Sequence, residues 1–257
     1  MKNTPELWDT IWEGNITSEN CKRILRQEEY TIRWKNIKRI VEDKVGTFNN
    51  LKVLEIGAGL GTYSALMAQK GADVSVLDYS EKALSRASEF FANNGVSVEL
   101  VYADALHLPL TELNKYDISM SFGTAEHFTG EDRRRIIKTH FDVLKREGVT
   151  FISVPNKFNL PYRLYKFVCE TKGRWLVGEE HPFSRNELRE LASILNPSEF
   201  GFLSDSFLSS FRFILSTPGI RKFFKRHLKK REYLIKDEKA TFLDPYISYS
   251  IVLYARK

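Results

Sequence analysis

The chain has 257 residues with 42% hydrophobic content, enough for one sizeable core and too apolar for a disordered segment. Its formal charge is +6, but the stretch from Ser216 to Lys239 alone holds nine Lys or Arg against three acids, so the rest is neutral and a surface built for nucleic acid is disfavoured. No apolar leader follows Met1, no run is long enough to cross a bilayer, and Cys21 and Cys169 are too isolated for a disulfide framework or a zinc site, so a cytoplasmic location is expected.

Residues 4–46 read as helical, with Pro5 near a start and Gly46 at the end. Trp8 and Trp12, four apart, share one helical face that either covers the sheet edge or closes a ligand cleft. The apolar run Leu51–Leu54 predicts a buried strand. It opens into Glu55-Ile56-Gly57-Ala58-Gly59-Leu60-Gly61, and a helix begins at Thr62. Three glycines let the chain turn sharply and keep Cβ atoms away from a ligand, while the helix offers free N–H groups. A dinucleotide fingerprint needs G-x-G-x-x-G; here the third glycine comes one residue early, and Glu55 would repel a pyrophosphate but hold an ammonium or sulfonium.

Asp73–Asp78 reads as a second strand, followed by Tyr79 and by Ser80 as the cap of a helix running to about Asn94. Asp78 stands 21 residues after Gly57, level with the end of the first strand, where an acid can accept both hydroxyls of a ribose. A third strand over 98–105 ends in Asp104-Ala105. A fourth over 116–123 exits through Gly123, Glu126 and His127 into a helix expected from Gly130 to about Arg146. A fifth strand is predicted over 148–156. Residues 157–183, rich in aromatics, read as a lid or a packed side-cover, and Ser184 opens a capping-box helix to about Leu195. Strands six and seven are expected at 200–207 and 246–255.

The pattern E-x-G-x-G-x-G resembles motif I of the class I S-adenosylmethionine-dependent methyltransferases. Asp104-Ala105 is similar to that family's adenine-contacting segment. Asp117 and the Glu126-His127 pair resemble the Methyltransf-11-like small-molecule enzymes. The strand-four exit lacks Asn-Pro-Pro-Tyr or Asp-Pro-Pro-Tyr, against the base- and glutamine-modifying branches. The resemblance implies an α/β Rossmann-like doubly wound sheet of seven strands in order 3-2-1-4-5-7-6, strand seven antiparallel, with helices on both faces. It implies a single domain over 1–257: a helical cap (1–48), a cofactor-binding core (49–156), a lid insertion (157–183) and a C-terminal part (184–257) carrying a basic amphipathic insertion at 208–244.

The cofactor expected is S-adenosyl-L-methionine, held by Glu55, Gly57, Ala58, Gly59, Gly61, Asp78, Tyr79, Asp104, Ala105, Gly123 and Glu126. The activity implied is methyl transfer to a small molecule, first of all to a hydroxyl, with lipidic, quinone-like or glycan-linked acceptors open. N- or C-methylation and a non-catalytic cofactor-binding protein are the alternatives. A hydroxyl must lose its proton, and His127 is the first candidate base, a structural role near the methionine end being its alternative; His181 is the second. Glu126 with His127 supplies too few ligands to read a metal site. In residues 218–231, Ile220, Phe223, Phe224 and Leu228 form an apolar face opposite a cationic one, suited to an anionic membrane surface or to packing on the domain.

Overall fold

The computed structural model describes residues 3–14, 16–218, 220 and 238–257. Its core is one seven-stranded sheet built from β1 (Lys52–Ile56), β2 (Asp73–Asp78), β3 (Glu99–Tyr102), β4 (Tyr116–Phe122), β5 (Leu144–Pro155), β6 (Glu199–Ser204) and β7 (Ser250–Arg256). The order is β3-β2-β1-β4-β5-β7-β6. The first five strands run parallel, and β7 lies antiparallel between β5 and β6, as the resemblance implied.

Parallel strands covered on both faces need apolar residues pointing both ways, which is why the central strands read as near-continuous hydrophobic runs. Val53, Val76, Met120 and Phe151 pack on one face, among Trp34, Ile37, Met67 and Phe90. Leu54, Leu77, Ile152 and Val154 pack on the other, with Ile136, Ile137, Phe183 and Leu188. Asp117 accepts the Lys52 amide at 2.8 Å and the Lys145 ammonium at 2.8 Å, pinning the starts of three neighbouring strands together.

The helical N-terminal region is three helices, α1 (Pro5–Ile11), α2 (Ser18–Glu29) and α3 (Ile32–Lys44). Thr4, Thr17 and Thr31 each cap one by accepting a backbone N–H on the side-chain hydroxyl, which explains where they break. After β1 comes α4 (Thr62–Ala68), after β2 α5 (Glu81–Asn93) capped by Ser80, and after β4 α6 (Gly130–Asp142). That last helix stops at Asp142 rather than near Arg146, and β5 begins at Leu144 rather than Gly148. Val143 and Leu144 are fully buried, Leu144 pairs with Tyr116, and the register shift that follows carries Glu147 into positive φ, where Arg256 meets its carboxylate.

Residues 157–183 contain a helix, α7 (Leu160–Thr171), capped by Asn159, and α8 (Arg185–Ile194) follows from Ser184. Strand six ends at Ser204, short of the expected Phe207, because Asp205 turns away to meet Arg33. After it comes α9 (Phe211–Ser216), which packs on α7. Strand seven starts at Ser250 because Pro245 opens a short helix, α10 (Asp244–Ile247), instead. Apart from Pro218 and Ile220, the basic amphipathic stretch 218–231 lies outside the described residues.

Candidate active site

The carboxyl ends of β3, β2, β1 and β4 come out side by side, and there they border a cavity of about 910 Å³. Ligands of open α/β sheets bind at this edge, where connections depart to opposite faces. The glycine turn forms its floor. Gly57 and Gly59 have φ of 62° and 53°, a region costly for residues with a Cβ. A Cβ on Gly57 would stand 2.5 Å from the Thr124 hydroxyl, and one on Gly59 would stand 2.5 Å from the Trp12 ring.

Among the described residues, six acids line this cavity: Glu28, Glu55, Asp78, Asp104, Asp132 and Glu179. Glu55 is buried, and its Oε2 accepts both the amide of Ser64 (3.0 Å) and its hydroxyl (2.6 Å); loss of hydration outweighs these bonds and lifts the carboxyl to about 7. Asp78 accepts N–H bonds from Gly59 (3.4 Å) and Ser80 (3.0 Å), and burial raises its carboxyl above the ordinary range. Burial likewise raises the neighbouring Tyr79 phenol. Asp104 is half exposed, accepting from the Leu106 amide at 2.8 Å and facing His107 Nδ1 at 2.8 Å. The Ala105 carbonyl is anchored by the Thr139 hydroxyl of α6 at 2.8 Å, so the segment is held rather than loose.

His127 stands at the β4 exit with its Nδ1 2.7 Å from the Glu179 carbonyl. A carbonyl can only accept, so Nδ1 carries the proton and Nε2 keeps the lone pair. Burial lowers the imidazole below its ordinary value, more than the carbonyls of Glu179 and Gly123 raise it, and Lys166 adds to the lowering. Trp8 meets the imidazole edge-on at 5.0 Å, and Asn3 Nδ2 donates to the carbonyls of both His127 and Glu179. Both tryptophans of the N-terminal face therefore line the cavity, and α1 forms its cover. Asp9 fastens that helix by accepting the Ser80 hydroxyl at 2.6 Å.

Residues 53–148 match the model of a methyltransferase-domain family. The ubiquinone biosynthesis O-methyltransferase of Leptothrix cholodnii is 31% identical over 160 residues, 62% of this chain and 64% of that protein. Its namesake in Bordetella avium is 30% identical over 117 residues, covering 46% and 48%. What these matches have in common is methyltransferase chemistry, and it is methyltransferases that residues 53–148 of this chain are similar to. The chain spans about half the length of the first curated relatives it matches, 48% and 54%. A magnesium protoporphyrin IX methyltransferase from Synechocystis, solved with bound S-adenosylhomocysteine, superposes with a TM-score of 0.58 at 18% identity over 98% of this chain and 93% of that one. The cyclase SpnF superposes at 0.56, also at 18% identity, over 87% of this chain and 80% of that one. These likenesses speak for the fold alone, and a fold does not name its reaction.

Of the residues the sequence singled out, Gly57, Ala58, Gly59, Gly123 and the acids Glu55, Asp78 and Asp104 border the cavity together with Tyr79, Ala105 and His127. Gly61, Glu126 and His181 are not among its lining residues. Gly61 caps α4 in the left-handed region, and a Cβ there would run into Phe91 at 2.8 Å, so this glycine serves helix packing. Glu126 is buried behind Gly123, and burial together with the nearby Glu180 holds its carboxyl well above the usual range. His181 donates its amide to the Glu126 carbonyl at 2.8 Å while its half-exposed ring sits near the Glu179 carboxylate.

Sequence reasoning missed the β1–β4 end of the cavity. Tyr63 of α4 stacks on Phe122 at 3.9 Å and donates its hydroxyl to Glu28 of α2 at 2.7 Å. The Arg33 guanidinium lies over both rings and is clasped by Asp205. Tyr63 stands only two residues after Gly61 and could have been noticed; Glu28, Phe122 and Arg33 reach it through packing between elements.

Proposed function

We propose that this chain binds S-adenosylmethionine in the cavity and uses it to methylate a hydroxyl group of a small organic molecule. The cofactor fits the residues present. Among the described lining residues, six are carboxylic acids (Glu28, Glu55, Asp78, Asp104, Asp132 and Glu179) and His127 is the one basic group, a wall suited to a sulfonium and an ammonium and hostile to a pyrophosphate. Gly57 and Gly59 let Thr124 and Trp12 close against the turn, in space that a Cβ would take. Glu55 would hold the ammonium, Asp78 the ribose hydroxyls, and Asp104 with the Ala105 amide the adenine edge. When bound, this cofactor supplies a methyl group on positively charged sulfur, open to attack along the axis of the breaking bond.

The chain's own work is alignment, dehydration and one proton transfer. Trp8, Trp12 and α1 cover the cavity against water. The Tyr63–Phe122 pair gives a flat apolar wall where β1 and β4 end, beside which an acceptor ring could lie. His127, neutral near pH 7 with Nε2 unprotonated, can take the acceptor's hydroxyl proton as the oxygen attacks. That basic nitrogen in a cavity otherwise walled by acids is the observation that carries the hydroxyl reading. The similar O-methyltransferases of ubiquinone biosynthesis support it.

Two measurements test the proposal. Calorimetry should find micromolar binding of S-adenosylmethionine and none of NAD, and tighter NAD binding would overturn the cofactor assignment. A labelled-methyl screen over catechols, phenols, amines and extracted lipids should put label on oxygen. Label appearing on amines alone would remove the role given to His127.

A further inference from the structure

Beyond the cavity, the described residues leave an unusual surface at α7 and α9. On α7, Leu160, Leu164 and Phe167 fall at i, i+4 and i+7 and form one stripe, exposed by 76%, 48% and 63%. The opposite stripe, Tyr162 and Cys169, is buried, so the helix is already seated by its inner face and the outer row is surplus to folding. Phe158 and Leu176, before and after the helix, are also exposed, and Leu208 and Phe211 expose apolar side chains at the start of α9, the helix packed on α7. Isolated exposed leucines need no explanation, but a row of leucine and phenylalanine along one helix does.

The exposed charges beside this row are mostly positive. Lys157, Arg163, Lys172, Arg174 and Arg212 are exposed around it, against the single exposed acid Glu170 on α7. Lys172 also donates to the Pro218 carbonyl, so the chain leaves the described structure next to the end of α7, entering the sequence stretch richest in Lys and Arg. An apolar helix face framed by cations matches an anionic bilayer: hydrocarbon below the headgroups, negative charge at their level. A folded protein partner would need a complementary apolar groove with an acidic rim. No helix among the described residues is long and apolar enough to span a membrane, so the contact would be interfacial.

We propose that the outer face of α7, with the start of α9, docks this protein on an anionic lipid surface, where Leu160, Leu164 and Phe167 enter the interface. This rests on the surface and not on the methyl-transfer reading, and the two can fail separately. The test is vesicle flotation of the full chain with phosphatidylcholine alone and with phosphatidylglycerol mixed in. Binding is expected to the mixed vesicles only and to weaken as ionic strength rises. The double variant Leu164→Asp, Phe167→Asp should lower the bound fraction about tenfold or more, since two apolar contacts become charged ones. Its cofactor affinity and melting temperature should stay those of the parent, because both side chains are exposed. Leu110→Asp, 84% exposed between β3 and β4, should float as the parent does. Absence of binding to either vesicle, or equal binding by the double variant, would overturn the proposal. So would a dimer in solution that the double variant breaks, since that would make the face a contact between copies of this chain.

Discussion

Glu55 offers the sharpest test of the site, because folding and cofactor binding ask opposite things of its carboxyl. Burial lifts it from its ordinary 4.5 to about 7. At about 1.4 kcal/mol per pKa unit, keeping it ionised in the folded chain costs on the order of 3 kcal/mol. Between those two values the unfolded chain has lost the proton and the folded chain still holds it, so stability falls as pH rises through this window and levels off above it. Glu55→Gln can still accept from Ser64 but never ionises. At pH 8 it should therefore be more stable than the parent by up to about 3 kcal/mol, several degrees in Tm for a chain of this size, with little difference near pH 4.5. The gain is lost in function. A cofactor ammonium beside Glu55 favours the carboxylate, so binding near pH 6.5 should expel part of a proton. Calorimetry in two buffers of different ionisation enthalpy would read this as a difference in apparent heat, which Glu55→Gln should abolish along with much of the affinity. If parent and variant melt with the same pH dependence, or binding moves no proton, Glu55 is neither titrating near neutrality nor touching the ammonium.

His127→Ala should reduce turnover by about a hundredfold or more while leaving cofactor affinity near that of the parent, and turnover of the parent should fall only below the ordinary histidine range, because burial keeps the ring neutral to lower pH. A fall in affinity without a fall in saturated turnover would make His127 a binding residue. Asp78→Ala should weaken the cofactor by roughly 30- to 150-fold, the scale of a charge-assisted pair of bonds, and a change under about threefold would move the ribose contact elsewhere. Asp205→Ala strands the buried Arg33 guanidinium and removes the acceptor of the Ser250 hydroxyl, so denaturant unfolding should show a loss of about 3–5 kcal/mol. A loss below about 1 kcal/mol would mean that water or Glu28 takes over the arginine.

What the sequence determined by itself was whatever local rules govern. Strands buried on both faces must be apolar throughout, so β1, β2, β4 and β5 stand out from the chain, and the glycine turn with Asp78 and Asp104 follows from their carboxyl ends lying level. Ser80 and Ser184 cap their helices as written because an N-cap needs only its own next three residues. Tertiary structure decided the rest. The end of α6 was misplaced because Val143 and Leu144 answer to strand pairing with Tyr116, not to helical periodicity. Gly61 was grouped with the ligand glycines by spacing alone, yet its close neighbours are Phe91 and Val76, which come from other elements. Trp8 and Trp12 fitted two roles until α1 was seen to lie across the cavity, held by Asp9 on Ser80. Glu28, Tyr63, Phe122 and Arg33 meet only when α2, α3, α4 and β4 are packed together, with no fixed spacing along the chain to announce them. The distinction is one of range: hydrogen bonds and periodicity inside an element are written in adjacent residues, whereas a binding wall is assembled from side chains that become neighbours only through the burial of faces they do not belong to.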